Sequence, residues 1–318
     1  MAITTTVKLD HPWRELVIDG VGKPRILTVD EELCDNGDFE ENLIGWDAVT
    51  DIYMLRSSGK ETFFGDYVLS MTDASEVAEN YCWYDIDVSG GVGNDLSYRK
   101  FLVTFFYKNG ATNPQFSFKF GDDNGTDTTT ENLVSTDEWQ MAMMIKEFGS
   151  NTEDGLRLTI YPYLASAGAG ETGVILVDNV SVREINDDYI LPHPKRYWQK
   201  WIKEINAEHK LINGKRKQYI KGWRYASKLY YDFNTKAIEW IKRKIAATTD
   251  DIVLIPHRDI HSCIFVDWDG DYDQKYFKDV YIGHEGTFSF VGQQLLGSLV
   301  TIPDYRGELP RPDRVIDP

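Results

Sequence analysis

Along the first half of this chain, hydrophobic and polar residues alternate with a period of two or gather into short apolar runs, and Gly, Asn, Asp and Pro punctuate them. The pattern predicts strands over residues 51–55, 67–71, 81–88, 98–107, 115–120, 139–148, 156–164 and 174–184. In 115–120, Phe116, Phe118 and Phe120 alternate with Gln115, Ser117 and Lys119, which describes a strand with one buried and one wet face. The stretches 89–95, 121–132 and 165–173 are rich in turn formers, so pairing is expected to stop there. Helical periodicity is nearly absent between Leu33 and Ile185, and short strands at this spacing predict an all-β sandwich.

The pattern changes after Asn186-Asp187-Asp188, where Pro192-His193-Pro194 makes a stiff junction. Residues 195–206 place Trp198, Trp201, Ile202 and Ile205 at helical spacing and predict a short amphipathic helix. Asn213-Gly214, between 208–212 and 215–232, predicts a tight hairpin with a long second arm. A second helix is expected over 235–246, with Ala237, Ile238, Ile241 and Ile245 as its stripe, Asn234 as its cap and Lys242, Arg243 and Lys244 against its C-terminal dipole. Strands follow at 252–256, 263–268 and 280–283, the last continuing into 287–291. The organisation expected is an arm over 1–32, a sandwich over 33–187, an α+β domain over 188–300 and a tail over 301–318. Val7-Lys8-Leu9 and 16–20 are strand-like, and their pairing with the second domain would make the sandwich an insertion.

Charge follows the same division. The chain of 318 residues has 34 Lys+Arg against 51 Asp+Glu, a net −17. Residues 1–190 carry 13 basic and 34 acidic side chains, whereas 191–249 carry 15 and 4. So acidic a first part repels phosphates, which argues against nucleic acid as a partner. With 42% hydrophobic residues both parts can bury cores. No apolar run approaches the roughly 20 residues of a membrane span, and the start lacks the pattern of a signal peptide. Cys34, Cys82 and Cys263 are odd in number and far apart, which fits reduced thiols.

Four motifs occur in order: Asn36-Gly37-Asp38-Phe39-Glu40 followed by Gly45-Trp46, then 98–107 followed by Asn109-Gly110, then Thr136-Asp137-Glu138-Trp139-Gln140, and last 175–184 with Val177-Asp178-Asn179-Val180. Together they resemble the jelly-roll carbohydrate-binding modules attached to xylanases and glucanases. The resemblance implies a galactose-binding-like jelly roll over residues 33–185. It also implies a structural Ca²⁺, whose ligands here would be Glu40 and Asp178, carboxylates of the kind this hard cation takes among its six to eight oxygens. Sugar binding in such modules relies on exposed aromatics that stack on pyranose rings. Tyr53, Trp83, Tyr84, Tyr107, Tyr161 and Tyr163 lie on expected strands. Alternation sets Trp83 and Tyr84 on opposite faces, and the set read as glycan-facing is Tyr53, Tyr84, Tyr107, Tyr161 and Tyr163. Core packing is the commoner fate of any one of them.

The remainder, 195–296, resembles tail-tube-like and distal-tail proteins of long-tailed bacteriophages in its order of hairpin, helix and strands, with Gly222-Trp223-Arg224-Tyr225 on the extended arm. That resemblance implies a homo-oligomeric ring, with Lys215, Arg216, Lys217 and Arg224 at its interface.

Other constellations carry less chemistry. His257, Asp259, His261 and Cys263 share a strand face, but neighbours there lie roughly 6.5–7 Å apart and do not converge on a tetrahedral zinc without a bend. The acids of 267–273 lack the spacing of an EF-hand, and 121–127 reads as a solvated acidic loop before a cation site. No G-x-S-x-G, P-loop, H-E-x-x-H or G-x-G-x-x-G occurs. The expectation is a non-enzymatic virion structural protein of a tailed bacteriophage, assembled in host cytoplasm among other virion proteins and carrying a module for host-surface polysaccharide. An accessory protein of a polysaccharide-degrading system, or a decoration or adhesion protein whose sandwich binds protein, are the alternatives.

Overall fold

The computed structural model describes residues 24–50, 52–58, 62, 63, 65–73, 80–88, 95–109, 115–150, 155–162, 174–191, 196–210, 216–234, 236–255, 263–268 and 284–292. The chain divides into two compact units, Asp30–Ile185 and the combination of Met1–Val29 with Asn186–Pro318.

Asp30–Ile185 is a jelly-roll β-sandwich of two antiparallel sheets. One sheet runs, in spatial order, through β9 (Gln140–Glu147), β6 (Lys100–Asn109), β11 (Val174–Ile190, of which the part up to Ile185 lies in this unit), β4 (Tyr67–Asp73) and β3 (Ile52–Ser58). The other runs through β2 (Trp46–Ala48), β5 (Cys82–Ile86), β10 (Leu156–Tyr161), β7 (Gln115–Asp122) and β8 (Thr128–Val134). The alternation read in 115–120 holds for the phenylalanines, although Ser117 on the face expected to be wet is buried as well. Phe116, Phe118 and Phe120 are buried and meet Tyr107, Phe105 and Phe101 of the facing β6 at ring separations of 4.8, 4.9 and 6.2 Å, all edge to face. Each such ring contributes roughly 1.5–3 kcal/mol by burial, and the edge-on geometry suits the aromatic quadrupole. Residues 128–134, assigned to a turn up to Asn132 by the sequence pattern, instead form β8 and pair with β7, since three successive threonines are good strand formers.

A bulge in β11 between Asp178 and Ser181 fixes how the chain enters the sandwich. Asn179 takes φ 49° there, a left-handed conformation that Asn tolerates. Val180 N donates to Gly37 O at 2.9 Å, and a Cβ on Gly37 would run into the Val180 carbonyl oxygen, so glycine is required. Glu32 accepts from Val182 N at 2.7 Å and Ser181 Oγ at 2.5 Å, which ties residues 30–37 to the last strand.

In the other unit the order is β12 (Arg196–Lys210), β13 (Arg216–Asn234), β16 (His284–Gly292), β15 (Ile264–Trp268), β14 (Asp251–Ile255), β1 (Arg25–Val29) and the end of β11. Helix α1 (Lys236–Ala247) buries Ile238, Ile241 and Ile245 with Leu229, Phe288, Val266, Leu254 and Ile26. The amphipathic helix expected over 195–206 is corrected to strand β12. It pairs with β13 at fourteen positions, from Arg196↔Tyr230 to Lys210↔Arg216, and this long-range ladder overrides a helical spacing that its aromatic and β-branched residues only weakly favour. Strand β1 pairs with β14, from Arg25↔Ile255 to Val29↔Asp251. The strand-like segments 7–9 and 16–20, the Asn213-Gly214 turn, His257, Asp259, His261, the expected strand 280–283 and the acids of 269–273 lie outside the described residues.

Candidate functional site

The outer face of the sheet β2-β5-β10-β7-β8 carries a row of polar and aromatic side chains. Cys82, Tyr84 and Ile86 point into the core, which leaves Trp83 and Asp85 outside; Leu156, Leu158 and Ile160 likewise leave Arg157, Thr159 and Tyr161 outside. The register sets Trp83 opposite Thr159, Asp85 opposite Arg157, Thr159 opposite Lys119, Tyr161 opposite Ser117 and Ser117 opposite Asn132. Tyr81, just before β5, completes an aromatic row. Its ring lies 5.5 Å from that of Trp83 and 5.3 Å from that of Tyr161, tilted by 53° and 48°.

Arg157 fixes one end of this row. Its Nε donates to Asp85 Oδ1 at 2.5 Å and its Nη2 to Asp85 Oδ2 at 3.1 Å, while its Cζ stands 5.6 Å from the centre of the Trp83 ring. The hydrogen bonds to Asp85 raise the guanidinium further above its ordinary value, and the two side chains form an ion pair whose charges offset. The face can therefore offer apolar rings with hydroxyl-reading groups beside them and little net charge.

Of the tyrosines read from the sequence as glycan-facing, Tyr84 and Tyr107 are corrected to core residues. Tyr161 belongs to the row. Tyr53 is 61% exposed but sits on β3 of the opposite sheet. Tyr84 and Tyr107 face the core: Tyr84 packs on Trp46 at 5.4 Å, and burial pushes the Tyr107 hydroxyl up to about 12. Tyr163 is outside the described residues. Trp83 and Tyr81 are the rings the sequence set lacks. Alternation told that Trp83 and Tyr84 diverge, and only the partner strands tell which side is the core.

Glu40 and Asp178 act on one loop. Glu40 Oε1 accepts from Asp66 N at 2.9 Å and Tyr67 N at 3.0 Å, and the fully buried Asp178 accepts from Phe63 N at 2.9 Å. Arg56 donates to Phe39 O at 2.6 Å and to Glu40 O, with its guanidinium 3.2 Å above the Tyr67 ring. Two carboxylates with backbone carbonyls around one loop are oxygen donors of the kind Ca²⁺ takes, and in that chemistry they fit it. Among the described residues, no three Asp, Glu, His or Cys side chains gather into a metal site, so carbonyls and water would have to complete the shell. Lys215 lies outside the described residues, whereas Arg216, Lys217 and Arg224 occupy β13 positions opposite Lys210, His209 and Ile202. The acidic loop after β7 is internally satisfied. Asp122 accepts from Thr126 N at 3.1 Å and Asp127 N at 2.8 Å, and Lys146 donates to Asp127.

No protein-family model and no curated protein matches this chain. Among solved structures it is similar to the CBM22-1 xylan-binding domain from Paenibacillus barcinonensis Xyn10C, at 18% identity and TM-score 0.37, over 50% of this chain and 98% of that one. It is similar also to the CBM22-1 and GH10 modules of Clostridium thermocellum xylanase 10B, complexed with xylohexaose, at 19% identity and TM-score 0.34 over 48% of this chain and 28% of that one. A third likeness is to the enzymatically active domain of bacteriophage CBA120 tailspike protein 4, at 12% identity and TM-score 0.34 over 48% of this chain and 21% of that one. The chain thus spans under a third of the latter two.

Proposed function

We propose that Asp30–Ile185 is a non-catalytic carbohydrate-binding module that takes a neutral glycan chain across the outer face of β5, β10 and β7. The observation that carries this is the row Trp83, Tyr81 and Tyr161, partly exposed rings on a face that also carries Asp47, Lys119, Asn132 and the paired Arg157 and Asp85. Sugar C–H faces stack on such rings while the polar groups read hydroxyls. Rings tilted by about half a right angle to one another follow a twisted single chain better than a flat crystalline surface. Of the two acids beside Trp83 on this face, Asp47 across the strand pair and Asp85, the latter is tied to Arg157, which favours binding over acid–base work by that carboxylate. Titration calorimetry against soluble xylan, β-1,4-galactan and β-glucans tests it. Trp83→Ala and Tyr161→Ala should each weaken binding about tenfold, while the core variant Tyr84→Phe leaves it unchanged. Undiminished binding by Trp83→Ala would remove the site from this face, and silence across the whole panel would remove the glycan.

For the chain as a whole we propose a structural protein of a tailed-phage virion, with the module offered to host-surface polysaccharide, a Ca²⁺ held by Glu40 and Asp178, and the other unit holding its neighbours. What supports this is the opposition of charge between the two units and the basic β12–β13 ribbon. Tail and portal genes beside its coding sequence are expected; polysaccharide-degradation genes there would favour the accessory-protein reading instead.

A further inference from the structure

Strand β13 has two parts. From Ala226 to Tyr230 it pairs with both β12 and β16, but at positions 216–225 its partner among the described residues is β12 alone. The outer ribbon, 201–210 against 216–225, is therefore a two-stranded hairpin, an element that is marginally stable at best on its own in water. Its charge adds to the difficulty. Residues 201–225 hold seven Lys and Arg against two Glu, so the ribbon repels itself. Both features are relieved by an acidic surface laid against it.

The same chain carries such a surface. Residues 30–185 have 29 acidic against 9 basic side chains, and the densest run is 30–41, where seven of twelve residues are acidic. Within that run Glu32 and Glu40 are spent on the sandwich's own backbone, whereas Glu31, Asp35, Asp38 and Glu41 are exposed. This run is distinct from the aromatic face.

We propose that the β12–β13 ribbon docks on the acidic 30–41 surface of a second copy of this chain. The contact joins two different surfaces, so each copy offers one ribbon and one acidic run, and the assembly closes into a ring or extends as a chain according to the angle between neighbours. The inference deepens the reading of the second unit as the part that holds neighbours; it is argued from strand pairing and charge, its failure would leave the glycan reading untouched, and a virion role could still be met through other partners.

Sedimentation velocity of the full chain tests it. In about 0.05 M salt the mass should grow with protein concentration, and in about 1 M salt, where charges are screened within about 3 Å, it should return to the monomer. Two variants locate the contact: Lys203→Glu/Lys217→Glu/Lys221→Glu/Arg224→Glu on the ribbon, and Glu31→Lys/Asp35→Lys/Asp38→Lys/Glu41→Lys on the sandwich. Each alone should associate at least about tenfold more weakly, with circular dichroism confirming its strands. Mixed together the two should associate again, because reversed charges then face each other. A wild type that stays monomeric at low salt overturns the proposal, as does a mixture that fails to recover. Capture of heparin or DNA by a ribbon that does not self-associate would assign it to an anionic polymer instead.

Discussion

Asp122 shows how a single acid earns its place here. Burial works to raise its carboxyl, but hydrogen bonds from the Thr126 hydroxyl, Asp127 N and Thr126 N outweigh that and hold it below the ordinary carboxylate range. A group lowered on folding stabilises the protein above its unfolded value, and that stability is lost as pH falls through the folded value. Asp122→Asn should therefore cost about 1–3 kcal/mol near neutral pH and lose less than the wild type on acidification. Urea unfolding at about pH 7 and about pH 3.5 measures both, and parallel losses in the two proteins would reject the anchoring role. Trp83 and Tyr84 make the complementary point about legibility. That they diverge follows from the period of a strand, but which one faces the core depends on Trp46 and Leu158 arriving from elsewhere in the chain.

At the scale of elements, the strands carrying regular alternation were legible, and those created by pairing were not. Strand β7 could be read from its phenylalanines alone. Strand β12 could not, because Trp198, Trp201, Ile202 and Ile205 suit a helix stripe as well as a ladder, and its partner lies beyond a turn. The loop before β4 belongs to the same class. Its backbone is held by Glu40 from the first segment of the sandwich and by Asp178 from its last strand, acids 138 positions apart in the sequence. If Ca²⁺ reinforces this grip, chelation should lower the melting temperature by several degrees, since about 1 kcal/mol shifts a domain of this size by roughly 2–4 °C. The Glu40→Gln variant should lose that sensitivity. A wild-type melt indifferent to both chelator and added Ca²⁺ would leave Glu40 and Asp178 as backbone caps only.

For the molecule as a whole, two cores matter more than one length of chain. The sandwich core centres on Phe101, Phe105, Phe118 and Phe120, and the other on Phe288, Leu229 and the isoleucines of α1, with no residue common to both among the described residues. Calorimetry is expected to show two unfolding transitions, or a calorimetric enthalpy above the van't Hoff value; a ratio of one would mean that the units unfold together. By itself, the sequence determined the β character of residues 33–185, the helix after Asn234, the change of charge near residue 190 and the acids and aromatics available, because these depend on local period and composition. Tertiary structure alone decided that 196–210 is a strand, that β1 joins β14, that Tyr84 is core while Trp83 and Tyr81 line a face, and that Glu40 and Asp178 meet one loop. Those outcomes depend on which distant strand supplies the hydrogen bonds and which side of each strand is covered, and neither is encoded within any one segment.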